Sequence, residues 1–291
     1  MNRYFILSLS LVFCQNLVGQ NTGKIDNQPA AANKSARLYL ELLKTEPVPV
    51  ISSQHPDAKD IPAGFEAGTT VKVTIDGKTA YHMVTTTMET VGDTRWANMR
   101  TEHWISEDGS NWRRHKILFR PGWNPETGMW ELTGSPFFFF DEQEDRWFVY
   151  FNFMAYDRMR PWTTPTLLRR AGAKTKGMSG INGEFEYPGE IVAPNGIAHP
   201  TDAEASSISP PYKAADGKWY GLTWPVENAR IIDMDKGLPA GINPWWRAIR
   251  VPHQLIDEGN EIYTCYFSAY DKQGEFESIG KATFRVKEIV E

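Results

Sequence analysis

Residues 69–84, TTVKVTIDGKTAYHMV, carry the pattern on which the fold turns. A β-rich run (69–74) meets the polar turn Ile75-Asp76-Gly77-Lys78, and a second β run (79–84) follows. Asp-Gly between two such runs is a strong hairpin signal, because both turn residues must accept positive φ. The same composite returns at 135–140 / 141–146 / 147–151, at 209–213 / 214–218 / 219–224 and at 252–256 / 257–260 / 261–267. The second run is dense in aromatics in the later copies, as in Trp147-Phe148-Val149-Tyr150-Phe151. The copies recur at intervals of roughly 40–70 residues, about one four-stranded unit each.

Composition agrees with short strands joined by frequent turns: 11 Trp, 11 Tyr and 15 Phe stand among 23 Gly and 19 Pro in 291 residues. That aromatic content excludes a disordered chain, a collagen-like rod and a coiled coil. A net charge of −5, without a long Lys/Arg run, excludes a dedicated nucleic-acid binder. Residues 1–20 read as a signal peptide: Arg3 is the positive n-region and 5–13 (FILSLSLVF) the apolar h-region, too short to span a bilayer. Export to the periplasm or the extracellular space follows, and no membrane span is expected elsewhere. Residues 21–36 read as a flexible leader and 37–291 as one domain. Cleavage would leave Cys265 as the single mature cysteine, in an apolar strand pattern that predicts a buried, inert thiol.

Residues 106–112 (SEDGSNW) add a second turn signal, in which short side-chain acceptors tie up the turn's backbone and Trp112 plugs the gap to the next unit. Residues 278–283 fit the third strand of a similar unit. Residues 37–44 (RLYLELLK) fit one short helix or an edge strand, ended by Pro47 and Pro49. Residues 167–173 are the best helical candidate after residue 44. Repeated four-stranded units with few helices predict an all-β, five-bladed β-propeller, whose blades leave only short protected edges. Four blades are visible, and residues 37–66 are expected to supply the fifth, with the C-terminal strand closing the ring. The alternative is a large β-sandwich, whose strands recur every 8–12 residues without a longer period.

The turn Asp216-Gly217-Lys218-Trp219-Tyr220, the 106–112 turn, Arg250-Val251-Pro252-His253 and Phe276-Glu277-Ser278-Ile279-Gly280 together resemble the five-bladed propeller glycosidases. These are glycoside hydrolase family 43 and its relatives, including the invertase-like and neoagarobiose-hydrolase-like families. The resemblance spans about residues 66–285 and implies a glycoside hydrolase acting on a poly- or oligosaccharide. Its acids would stand at the heads of the innermost strands, around one end of the central channel. Glycosidic cleavage needs one protonated carboxyl group for the leaving oxygen and one ionised carboxylate to activate water. In an inverting enzyme they stand roughly 6.5–9.5 Å apart. Counted back from the hairpin turns, the family's acid positions fall on Thr69, Pro136, Ile208 and Val251, none of them acidic.

Nearby acids take their place as candidates. Glu204, directly before an innermost strand, is the candidate acid, and Asp202 could raise its pKa by like-charge repulsion. Glu66 is the candidate base, and Glu131, after Trp130, a tuning carboxylate. His253 is a candidate acid or hydroxyl ligand, or else a satisfied core histidine. Arg247 and Arg250 would clamp an anionic sugar substituent or form salt bridges between blades. Trp123, Trp130, Trp162, Trp224, Trp245 and Trp246 are the surplus indoles. One or two of them are expected to be sugar platforms, with Trp130, Trp224, Trp245 and Trp246 the named candidates, and the rest to pack between blades. Glu102-His103 is expected on a third strand, away from the channel. No cofactor is required and no zinc-spaced ligand cluster occurs; a structural calcium is compatible with the resemblance but has no sequence signal. A non-catalytic carbohydrate-binding propeller is the competing reading.

Overall fold

The computed structural model describes residues 36–90, 98–156, 167–193, 245–272, 274 and 276–290, together with four two-residue strands between 206 and 224. The chain is all-β. In order, its strands are β1 (Ala36–Thr45), β2 (Gly64–Ile75), β3 (Lys78–Met88), β4 (Met99–Ser106), β5 (Arg113–Phe119), β6 (Gly122–Asn124), β7 (Met129–Asp141), β8 (Arg146–Tyr156), β9 (Leu167–Gly172) and β10 (Glu190–Ala193). The short strands β11 (Ser206–Ser207), β12 (Tyr212–Lys213), β13 (Trp219–Tyr220) and β14 (Thr223–Trp224) follow, then β15 (Trp246–Gly259), β16 (Ile262–Asp271) and β17 (Glu277–Val290).

Three antiparallel sets of four organise these strands: β2-β3-β4-β5, β7-β8-β9-β10 and β15-β16-β17-β1. A single parallel bridge, Glu277 to Gly64, joins the first and third sets into one sheet. The third pattern copy forms its hairpin register, Tyr212 opposite Tyr220 and Ser206 opposite Trp224. No sheet closes on itself among the described residues. The hairpin turns are as the sequence predicts: Asp76 and Gly77 both take positive φ (51° and 75°).

Two elements differ from the sequence reading. Residues 37–66 do not build a fifth unit. Residues 37–45, with Ala36, form β1, the edge strand of the two sequence readings, which covers the outer edge of β17, and Glu46 and Val50 continue along it by donating to Lys281 O and Ile279 O. An alternating apolar strand needs a partner, and the open edge of the C-terminal set supplies one. Residues 167–172 are strand rather than helix, paired with β8. Sheet packing overrides local propensity there: Leu168 and Ala171 are buried, while Arg169 and Arg170 lie over the rings of Phe153 and Phe148 at 4.1 and 4.3 Å.

The first strands of the three sets run side by side. Thr70 on β2 lies 3.4 Å from His253 Nδ1 on β15, and Thr69 Oγ1 accepts from the Phe138 amide of β7 at 3.1 Å. One core lies between the first and second sets (Val73, Val84 and Phe119 with Phe138, Val149, Phe151 and Phe153). Another lies between the first and third (Phe65, Met83 and Trp104 with Ile256, Tyr266 and Ile279). Each fully buried Phe or Ile contributes about 1.5–3 kcal/mol. The 106–112 turn does what its sequence predicts: Asp108 accepts from the Ser110 and Asn111 amides at 2.8 and 2.7 Å. Trp112 meets the Tyr266 ring edge-on at 5.2 Å, filling the seam between sets. Cys265 is buried, donates to His253 O, and burial pushes its thiol up to about 12.

Gly64 marks the closest approach between sets. Its φ is +93°, and a Cβ there would stand 2.2 Å from the Glu277 carbonyl oxygen. Gly64→Ala is therefore expected to destabilise by about 2–3 kcal/mol. Gly77→Ala, at φ +75° with nothing within 4 Å, should cost only the conformational part, about 1–2 kcal/mol. Thermal melting of the two variants side by side checks the ranking.

Candidate functional site

The hairpin tips after β2, β7 and β15 lie at one end of these strands, so their first residues share the opposite end. Glu66 is the third residue of β2 and Glu131 the third residue of β7. Both carboxylates thus stand near the heads of neighbouring first strands. Both strands run past the counted positions, and each is interrupted by one extra residue. In β2 the register steps from Phe65 opposite Thr87 to Gly68 opposite Thr85, so Glu66 and Ala67 bulge. In β7 it steps from Gly134 to Phe137, leaving Ser135 and Pro136 as the bulge. A bulge bends its strand and re-aims a side chain.

Glu131 is held by the turn before its own strand. Asn124 Nδ2 and Thr127 Oγ1 both donate to Glu131 Oε1, at 2.8 and 3.3 Å. Asn124 Oδ1 in turn accepts from the Glu126 amide, and Gly128, at φ +66°, donates to Asn124 O. Opposite Glu131 stands Gly122, where a Cβ would meet nothing within 4 Å, so there is open space beside the carboxylate. Glu66 is half-buried. It acts on Tyr156, the last residue of β8: burial raises that hydroxyl's pKa and the nearby Glu66 charge raises it further.

Trp130 pairs directly with Tyr156 on one side and Trp123 on the other. It is half-buried against Ala63, Met88, Met99 and Met154. His253 is buried, its ring between Thr70 and the Glu66 main chain, and burial lowers its pKa to about 3. It is therefore neutral at ordinary pH. That places it as a core histidine of the β15–β2 seam, the second of its two sequence readings. Trp246 is buried, edge-on to Phe267, so its faces are closed to a sugar. Trp245 is half-buried and stacked on Phe267 at 6.2 Å. Arg247 is exposed over the Tyr270 ring at 5.1 Å. The backbones of Arg250 and Trp224 lie in β15 and β14. Glu204 and Asp202 fall outside the described residues.

Glu102 and His103 lie on β4, third in its set, and enter two separate buried clusters. Glu102 takes Arg100 Nε at 2.5 Å and Trp104 Nε1 at 2.9 Å. His103 Nε2 lies 3.0 Å from His82 Nδ1. Among the described residues no group of three or more His, Cys, Asp or Glu is placed to hold a metal, and no helix is long and apolar enough to cross a membrane. The sequence reading missed Asn124, Thr127 and Tyr156. The first two had a signal in the Asn-Pro-Glu-Thr-Gly turn, residues 124–128, just ahead of Trp130; Tyr156 had none.

No family model and no curated protein matches the chain. Solved structures similar to it include the α-L-arabinofuranosidase PaAbf62A from Podospora anserina, at 10% identity and TM-score 0.40 over 82% of this chain and 95% of that one. A GH62 α-L-arabinofuranosidase catalytic domain from Coprinopsis cinerea is similar at 12% and 0.40, over 81% and 95%. A β-fructofuranosidase from Schwanniomyces occidentalis follows at 12% and 0.44, over 80% of this chain and 57% of that one. These are propeller glycosidases, the group that the sequence motifs resemble.

Proposed function

We propose that the chain is an exported glycoside hydrolase whose four-stranded sets are blades of a five-bladed propeller, with the active site at the heads of its innermost strands. One observation carries this reading: Glu66 and Glu131 both stand near the heads of neighbouring first strands, at the end away from the hairpin tips. Cleavage needs carboxylates with unequal tasks. Glu66 serves as the base that activates water. Glu131, fixed by two donors, orients and tunes the acid. Glu204 is the acid, with Asp202 beside it in sequence. Displacement by water from the face opposite the leaving group inverts the anomeric centre.

The test is release of reducing sugar from a panel of plant and algal polysaccharides, including arabinoxylan, fructan, β-1,3-galactan and agar, with the first-formed anomer read by NMR. Release with inversion is the expected result. Retention of configuration would overturn the assignment of Glu66 as base, and no release from any polymer would overturn the hydrolase. A second reading, a propeller that binds glycan without cutting it, is favoured by β15, whose third residue is Ala248 rather than an acid. Binding to the same panel without product would establish it.

A further inference from the structure

Strand β6 lies at the end of its sheet opposite β10, beyond β7, so it occupies the inner edge of the second set. It carries Trp123, which is 51% exposed although it is a large apolar side chain. Trp123 stands directly opposite Trp130, which is packed among Met88, Met99 and Met154. Directly opposite residues project from the same face of a hairpin with Cβ atoms about 5 Å apart, so Trp130 gives Trp123 a rigid backing. The next strand continues the row with Tyr156, within electrostatic reach of Glu66. Trp123 to Tyr156 spans two strand spacings, about 10 Å, comparable to a pair of linked sugar rings. The same hairpin also fixes Glu131 through Asn124 and Thr127.

We infer that Trp123 is a stacking platform for a sugar unit away from the bond attacked, so that the site takes a glycan chain rather than a single sugar. An indole held by its neighbour presents a flat apolar face to the C–H face of a sugar ring at little entropic cost. This inference rests on the proposed hydrolase site only for its direction, and binding alone tests it.

The experiment is native electrophoresis of the full chain in gels containing, one at a time, the four polysaccharides named above, with serum albumin as the reference. Wild-type protein should be retarded by at least one of them. Trp123→Ala should weaken that retardation at least tenfold in apparent Kd, with an unchanged thermal midpoint because the side chain is half in water. Trp123→Phe should stay within about threefold of wild type. Retardation of Trp123→Ala equal to wild type, or no retardation of wild type in any gel, overturns the inference. Retardation lost in Trp123→Ala while no polymer is ever cleaved sinks the hydrolase and leaves the platform standing. Cleavage with an unchanged KM in Trp123→Ala does the reverse.

Discussion

Arg100→Ala should destabilise the protein by about 3–5 kcal/mol, a large share of the roughly 5–15 kcal/mol of an ordinary domain. Arg100 is 2% exposed and bonds three carboxylates: Glu102 at 2.5 Å, Glu89 at 2.5 Å and Asp60 at 3.0 Å. Glu102 is fully buried, so losing its closest guanidinium leaves a charge inside the protein with only Arg114, at 3.1 Å, and the Trp104 indole to answer it. Desolvation of that carboxylate, rather than the lost attraction, sets the size of the effect. The double variant Arg100→Met/Glu102→Gln should therefore recover more than half of the loss. It removes the buried charge and keeps an acceptor for Trp104 Nε1. Urea unfolding of the two variants measures both numbers; a double variant no better than Arg100→Ala would show that packing, not charge, is what Arg100 supplies.

Acid should destabilise the fold well above the pH at which carboxylates titrate. Burial lowers His82 to about 4, with the His115 and Arg113 charges adding to it. Burial lowers His253 to about 3. His103 is also held well below its ordinary value, by burial first and then by the charges of His82, His115, Lys116 and Arg113. All three are depressed, so the folded state holds them neutral while the unfolded chain takes up protons below about pH 6.5. Their contribution is complete above pH 6.5 and is lost as pH falls through 4 and then 3. Each protonation withheld costs about 1.4 kcal/mol per pH unit. The thermal midpoint is expected to fall steeply between pH 6.5 and 4, and His82→Gln should flatten that slope. A midpoint constant over this interval would contradict the buried neutral histidines. The pair sits where His103 meets the Phe138 ring of the neighbouring set at 5.0 Å, so acid is expected to part the first two sets there.

Much of the fold was legible in the sequence because its signals are local. Asp76-Gly77 between two β runs accepts the positive φ that a tight hairpin turn needs, and Asp108 closes its turn with backbone groups two and three residues away. Residues 37–44 were legible only as a short helix or an edge strand, and pairing with β17 makes them the strand; residues 167–173 read as helix, and 167–172 are strand by virtue of β8. The candidate site was half legible. Glu66 and Glu131 were visible as acids ahead of the first strands of two sets, but a count from the turns sees neither the extra residue at each bulge nor how far β2 and β7 extend before it. For His253, the place near an innermost strand and a buried setting were both among the sequence readings, while its burial against Thr70 depended on packing between sets.

Kinetics of Glu66→Gln, Glu131→Gln and the double variant, on the polysaccharide the wild type cleaves, test whether the two strand heads form one site. Each single change should lower kcat by about 10²–10⁴, the range for a positioned acid or base. Groups that act as a unit are not additive, so the double should fall no more than about tenfold below the worse single variant. Wild-type rates in both single variants would contradict the account, because the carboxylates of β2 and β7 would then have no part in the chemistry.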